Sequence, residues 1–235
     1  MRLVHTLSAA LLLSSATWAL PTFPVVFQDV LDSQNSSDVI GSPDLFEIDY
    51  LRLSSLNGNT LQVDIRFNFG GGTALNGFAI NNFSPTLNVG DLFFRTAANT
   101  YAFVLNGHNG LATNGLYQIS ATQSARTVLG NPSGNYRPDA QVWADPNGAQ
   151  LLGTGSASIT TVDSVNTHLL ATLLIPLSNT VLGDLDNGFG VYFASATCGN
   201  DEITGRVPES GVPEPGTWAL IGLGLTGVGL IRRQR

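Results

Sequence analysis

Apolar and polar residues alternate along much of this chain of 235 residues. The clearest alternation runs from residue 61 to residue 69, where Leu, Val, Ile or Phe occupies every second position. A period of two is typical of a β-strand that buries one face and exposes the other. The pattern therefore predicts that the apolar face of this strand is core, and that Asp64 and Arg66 lie on a solvated face.

A second alternating run precedes this strand and predicts a hairpin. Phe46, Ile48 and Tyr50 alternate with acidic residues, and Asn57-Gly58 supplies a tight turn before the next run. Residues 45–69 should therefore form two antiparallel strands. Further strands are predicted at residues 92–95, 101–105, 116–120, 141–144, 157–162, 169–176 and 189–196. Pro176 should end its strand, because proline cannot donate to the hydrogen-bond ladder.

Turn sequences separate these runs, and no run predicts a long amphipathic helix. Asn-Gly pairs begin at seven positions, which are Asn57, Asn76, Asn106, Asn109, Asn114, Asn147 and Asn187. Many short strands joined by such turns are typical of the all-β class. We expect one domain over residues 20–211, an antiparallel β-sandwich that is jelly-roll-like.

The two ends of the chain differ from this pattern. Residues 1–19 have a basic start, a short apolar core and a small-residue site ending at Ala19, which predicts a secretory signal peptide. Near the other end, the apolar run 218–231 reaches only about 21 Å as a helix, short of a bilayer core of about 30 Å. The arginines that follow favour the cytoplasmic side and so place the preceding domain across the membrane, namely Arg232, Arg233 and Arg235.

A rigid, charged element precedes the apolar run and consists of Val212, Pro213, Glu214 and Pro215. This element, the apolar run and the arginines together resemble the PEP-CTERM sorting signal of Gram-negative bacteria. The resemblance covers residues 212–235. It implies processing by a membrane-embedded exosortase and delivery to the cell surface or an exopolysaccharide-rich matrix. The other expected partners are the Sec translocon and the inner membrane, into which the apolar run inserts transiently. An ordinary C-terminal membrane anchor is the alternative.

Two internal segments are similar to parts of other PEP-CTERM surface proteins. One is the Cys-Gly-Asn-Asp sequence within residues 196–205, and the other is residues 131–138. The similarity supports the class and assigns no activity. Asn200 and Asp201 are expected to satisfy backbone donors at a turn that closes the last predicted strand.

Charge restricts the partners of the exported part. Up to Val212 it contains sixteen acidic residues, six arginines and no lysine, a net charge of about minus ten. Such a surface has no electrostatic route to nucleic acid or to anionic lipid. The single cysteine, Cys198, excludes a disulfide within the chain and is expected to be a small buried residue.

Catalytic motifs are not found in the exported part. It has two histidines, His108 and His168, and neither lies in a hydrolase or metalloprotease motif. Calcium is the candidate metal, because Asp184, Asp186 and Asn187 place hard oxygen ligands in what the sequence predicts to be a turn. Their spacing departs from the EF-hand pattern, and simple turn formation is the alternative. No other cofactor is expected.

These observations favour an exported, exosortase-sorted, non-enzymatic protein of the cell surface or extracellular matrix. A carbohydrate-binding module, with or without calcium, is the first alternative, and it would use aromatic residues chosen from Tyr101, Tyr117, Tyr136 and Trp143. A secreted hydrolase is the second.

Overall fold

A computed structural model describes residues 23–29, 39–41, 43–56, 58–69, 78–80, 83–130, 132, 134–162 and 168–209. These residues belong to one unit of the chain, Leu20–Ser210. The predicted signal peptide, the Pro-Glu-Pro element, the apolar run and the terminal arginines lie outside the described residues. Within the described ranges, no helix combines the length and the apolar character needed to cross a bilayer.

Fifteen strands and three short helices are described. In chain order they are β1 (Val25–Gln28), α1 (Pro43–Phe46), β2 (Ile48–Leu56), β3 (Thr60–Phe67), β4 (Phe78–Ile80), β5 (Phe83–Leu87), β6 (Leu92–Arg95), β7 (Thr100–Phe103), β8 (Gly115–Ile119), β9 (Thr122–Ser124), α2 (Ala125–Leu129), β10 (Gln141–Ala144), β11 (Gln150–Thr154), β12 (Ser156–Thr161), β13 (Leu169–Pro176), α3 (Asn179–Asp186), β14 (Phe189–Ala194) and β15 (Glu202–Val207).

Two antiparallel sheets pack together and confirm the predicted β-sandwich. The first sheet has the order β1-β2-β3-β13-β12, and the second has the order β11-β8-β7-β6-β14-β15. The predicted hairpin is β2 and β3, and its register pairs Leu53 with Val63. Phe46 belongs to α1 rather than to a strand. Pro176 is the last residue of β13, as expected.

The main core lies between the two sheets. Alternate residues of β3 are fully buried there, including Ile65 and Phe67. The Phe67 ring packs edge-on against Phe193 of β14, with ring centroids 5.5 Å apart. This contact joins the centre of one sheet to the other.

A third layer covers part of the outer face of the second sheet. Strands β9 and β10 pair with each other, α2 packs on both of them, and β10 contacts β14 of the second sheet. Beneath them lies a second buried cluster that includes Phe93, Ala102 and Tyr117. The second sheet is therefore buried on both faces where this layer covers it.

The outer face of the first sheet carries polar side chains, but Asp64 is not solvated. The Asp64 side chain is only 2% exposed, so the expectation of a solvated Asp64 is wrong. Arg52 Nη2 lies 2.6 Å from Asp64 Oδ2, and Gln62 and Thr172 donate at 3.0 and 2.9 Å. These three side chains surround the Asp64 carboxylate. Arg66 is half-buried on the same face and pairs with Asp49 at 2.6 Å.

The Asp64 cluster should make stability depend on acid pH. Burial raises the pKa of Asp64, but hydrogen bonds from Arg52, Gln62 and Thr172 outweigh burial and hold this pKa below its usual value. The stabilisation is thus complete above the unfolded pKa of about 3.9 and is lost as the pH falls through the lower folded pKa. Asp64→Asn should flatten this decline in urea unfolding midpoints measured below about pH 4.

Asp139→Asn is the matched control, because the Asp139 side chain is 91% exposed. It should leave the acid decline unchanged. An equal flattening in both variants would contradict the role assigned to Asp64.

Two glycines mark where the sheets meet at their edges. Gly155 alone separates β11 of the second sheet from β12 of the first, and a Cβ there would lie 2.2 Å from the Leu174 carbonyl oxygen. On the other side, the Phe27 ring of β1 lies against Gly205 of β15, where a Cβ would meet the ring at 2.2 Å. Both close approaches require glycine.

Candidate functional site

A groove of about 420 Å³ opens where the second sheet meets the third layer. Its volume falls in the range of about 300–1,000 Å³ that is typical of ligand pockets. Strands β6, β10, β14 and β15 contribute to its wall, together with the segment before β10. We call it the Tyr136 groove, and it is lined by Ile40, Arg95, Tyr136, Arg137, Pro138, Asp139, Ala140, Gln141, Tyr192 and Glu202.

Tyr192 organises the floor of the Tyr136 groove. It lies on the outer face of β14 against Phe93, with ring centroids 6.1 Å apart, and the Arg95 guanidinium lies 5.7 Å from its centroid. Its hydroxyl donates to Glu202 Oε2 at 2.5 Å and accepts from the Gln141 backbone N–H at 3.1 Å. Burial raises the pKa of Tyr192, and the Glu202 carboxylate raises it further. Tyr192 therefore stays a neutral donor that fixes Glu202.

Arginine side chains bring positive charge beside Glu202. Arg137 Nη1 lies 3.6 Å from Glu202 Oε1, and the Arg137 side chain is 24% exposed. Arg95 is exposed and donates to Gln141 Oε1, which also accepts from the Thr122 hydroxyl at 2.7 Å. The groove thus presents donors and acceptors next to each other beside the half-buried Tyr136.

The turn between β14 and β15 positions Arg137. The Arg137 amide donates to the Cys198 carbonyl at 3.0 Å. Gly199 has a φ of 59°, and a Cβ there would lie 2.2 Å from the Ala140 Cβ. Only glycine allows the segment 137–140 to approach this turn so closely. The two segments that resembled other PEP-CTERM surface proteins therefore contact each other and form one side of the groove.

Asp201 ties the same turn to the first sheet. Asp201 is 1% exposed, and its carboxylate accepts from the Ile48 backbone amide at 2.7 Å and from the Glu202 backbone amide at 2.8 Å. The expectation that Asp201 satisfies backbone donors is confirmed. For Asn200, the backbone carbonyl accepts from the Ile40 amide at 2.8 Å.

Cys198 is a structural residue of this turn. It is fully buried, as the sequence predicted, and burial raises the pKa of its thiol to about 12. Because the thiolate is the nucleophilic form, this thiol is unreactive at neutral pH.

His108 forms a buried pair with Asp91 rather than an open catalytic dyad. His108 Nε2 lies 2.8 Å from Asp91 Oδ2, which also accepts from the Ala144 amide at 2.8 Å. The imidazole stacks on Trp143 with centroids 4.2 Å apart and is 3% exposed. Burial raises the pKa of Asp91 despite these hydrogen bonds. The pair anchors β10 to the second sheet, so Trp143 is a half-buried packing residue.

His168 belongs to the outer face of the first sheet. Its Nδ1 lies 3.5 Å from Arg66 Nη2, and its Nε2 lies 3.7 Å from Asp49 Oδ1. The structure therefore places the two histidines in separate clusters, His108 beside Asp91 and His168 beside Arg66 and Asp49. Of the candidate aromatic residues, Tyr101 and Tyr117 are buried, and Tyr136 lines the groove.

The predicted calcium ligands do not lie in a turn, which corrects that expectation. Asp184 and Asp186 belong to α3, and Asn187 is its C-cap. The helix forms because Ser178 caps it by accepting from the Val181 amide at 3.3 Å, and Val181 and Leu185 bury one face.

Residues two positions apart on a helix do not share a face, so the Asp184 and Asp186 carboxylates diverge. Asp184 Oδ2 accepts from Tyr101 and Asn99, whereas Asp186 is 7% exposed and its pKa is raised by burial. Over the described ranges, no group of three or more His, Cys, Asp or Glu side chains is placed to hold a metal ion. The calcium site stays a prediction from sequence.

Three groove residues were not singled out from sequence: Arg95, Tyr192 and Glu202. The available signal was the apolar character of consecutive residues in β6, Leu92-Phe93-Phe94, which indicates a strand covered on both faces. A strand that is apolar on both faces predicts a further layer on the outer face of its sheet, and a groove can form at the edge of that layer.

Comparison with known proteins identifies the end of the chain. Residues 211–235 match the PEP-CTERM protein-sorting motif, which confirms the resemblance of the tail. This motif implies an exported, cell-surface-sorted protein that is processed by exosortase. No curated protein and no solved structure matches the chain.

Proposed function

We propose that this chain is a non-enzymatic protein of the cell surface or extracellular matrix, delivered there by exosortase sorting. The observation that carries the proposal is the PEP-CTERM motif at residues 211–235. The domain before it is a sandwich with about ten excess negative charges, which keeps it soluble among exported material. The buried His108 pair, the His168 cluster and the unreactive Cys198 thiol support a role other than catalysis.

Replacement of Glu214-Pro215 by Ala-Ala should block processing and leave the chain at the inner membrane. The apolar run still partitions into lipid, but the rigid element that the protease grips has been removed. The measurement is cell fractionation with a tag placed after Ala19, followed by mass determination of the mature protein. The wild type should lose residues 218–231 and leave the inner membrane.

The chain offers a matched control in Pro208-Glu209, which lies just after β15 and is exposed. Pro208→Ala with Glu209→Ala should be processed like the wild type. A wild-type mature species that retains residues 218–231, together with no size change in the Glu214-Pro215 variant, would identify an ordinary membrane anchor and refute exosortase sorting.

Carbohydrate binding is the second candidate function, and the Tyr136 groove favours it. The groove combines a half-buried aromatic ring with adjacent Arg and Glu side chains. An aromatic wall with a few placed polar groups is the usual composition of a small-ligand site.

A further inference from the structure

We infer that the Tyr136 groove binds a neutral hexopyranose chain through its vicinal hydroxyl groups. The inference deepens the proposed function. It rests on that function in one respect, because export is what brings the groove into contact with extracellular glycans. It is carried by four features of the groove, namely its volume, its aromatic wall, its paired donor and acceptor, and its charge balance.

Tyr136 supplies the apolar contact. It is half-buried and lines the groove together with Pro138 and Ile40, both of which are also partly exposed. A pyranose ring has one face of C–H groups, and an aromatic ring with a polar tip suits a ligand that is apolar on one side and wet on the other.

Arg137 and Glu202 supply the directional contacts. Their nearest polar atoms are 3.6 Å apart, so a charged donor and a charged acceptor stand next to each other at the groove. Vicinal hydroxyls of a sugar match this arrangement, because each hydroxyl both donates and accepts. Hydrogen bonds that involve one charged partner are stronger than neutral ones. Tyr192 is a positioning residue, since its hydroxyl holds Glu202 Oε2 at 2.5 Å.

The charge balance favours a neutral glycan over an acidic one. Two arginines and two carboxylates line the groove, Arg95 and Arg137 against Asp139 and Glu202. The exported part around it has a net charge of about minus ten. A polyuronate is negatively charged, so it would gain no net electrostatic attraction from the groove and would be repelled by the acidic surface around it.

A second groove of about 500 Å³ provides an internal contrast. It is lined by residues 96–100, 118–120, Gly148 and Gln150. None of these residues is aromatic or charged. Of these two grooves in the described part of the chain, the Tyr136 groove combines the two kinds of contact that a sugar ring requires.

The test is calorimetric titration of the full chain, purified in a polyoxyethylene detergent that carries no sugar headgroup. The probes are isomalto-, cello- and laminari-oligosaccharides, with polygalacturonate as the acidic comparison. At least one neutral series should bind, and polygalacturonate should not bind more tightly. Tyr136→Ala and Glu202→Gln should each raise the dissociation constant by about tenfold or more.

Glu202→Gln keeps the size of the side chain and guards against loss of fold in the alanine variant. The matched controls are Tyr50→Ala and Arg206→Gln, a half-buried tyrosine and an exposed arginine that do not line the groove. Both should bind like the wild type.

Absence of binding to every neutral series, tighter binding of polygalacturonate, or equal effects in groove and control variants would each overturn the inference. Binding is measured on unprocessed protein, so a failure of exosortase sorting in cells leaves this result unaffected. The two proposals can therefore fail separately.

Discussion

Asp201→Ala is expected to lower the free energy of unfolding by about 3 kcal/mol or more. Asp201 is 1% exposed, and its carboxylate accepts backbone hydrogen bonds from Ile48 at 2.7 Å and from Glu202 at 2.8 Å. Ile48 begins β2 of the first sheet, and Glu202 begins β15 of the second. Alanine leaves two backbone donors without this acceptor, and a buried donor without a partner costs about 1–3 kcal/mol. The loss also releases a link between the sheets.

Urea unfolding followed by tryptophan fluorescence measures this effect, with Asp145→Ala as the matched control. Asp145 also accepts two hydrogen bonds, from the amide and side chain of Asn147, but it does so locally and near solvent. Its replacement should cost about 1 kcal/mol or less. The loss for Asp201→Asn should lie between the losses for the two alanine variants, because a side-chain amide has one acceptor oxygen and a carboxylate has two. Equal losses for the two alanine variants would show that the link between the sheets contributes little.

Phe67→Ala is expected to cost about 3–5 kcal/mol. Phe67 is fully buried, lies 5.5 Å from Phe193 across the core and 6.4 Å from Phe69. The rigid sheets on both sides limit how far the cavity can collapse, which places the cost in the upper part of the range for large-to-small substitutions. Denaturant melts of the single variants Phe67→Ala and Phe193→Ala and of the double variant measure both the cost and the aromatic coupling, expected at about 0.5–1.5 kcal/mol.

Val26→Ala is the control for Phe67, because Val26 is an apolar strand residue that is 48% exposed. It should change stability by less than about 0.5 kcal/mol. Comparable losses at positions 26 and 67 would refute the assignment of the core face of β3.

Sequence periodicity predicted the strands that have one buried and one wet face. β3 and β13 were predicted because the alternation of apolar and polar residues is a local property of the sequence. It can be recognised without knowing which strands pair. β11 was missed because it is mostly exposed and has little alternation, and its pairing with β8 supplies the strand geometry. Asp64 was misplaced because periodicity assigns a face and does not show that Arg52 covers a short carboxylate on that face.

The site was less predictable than the fold, since it depends on contacts between distant segments. Tyr136 and Arg137 were noted in one segment and the Cys198 turn in another, but the hydrogen bond between the Arg137 amide and the Cys198 carbonyl follows only from the folded chain. Asp184 and Asp186 were assigned to a turn because their residue types favour turns, whereas the Ser178 cap and the buried face of α3 decide for a helix.

The glycine corner at Gly155 has a consequence for how the molecule unfolds. One continuous stretch of backbone supplies an edge strand to each sheet, and its direction changes at a residue that leaves no space for a Cβ. A change of register or a loss of pairing at this edge of one sheet therefore displaces the edge strand of the other sheet. The sandwich should therefore lose both sheets in a single cooperative transition, so that partly melted forms with open strand edges stay rare on a crowded cell surface.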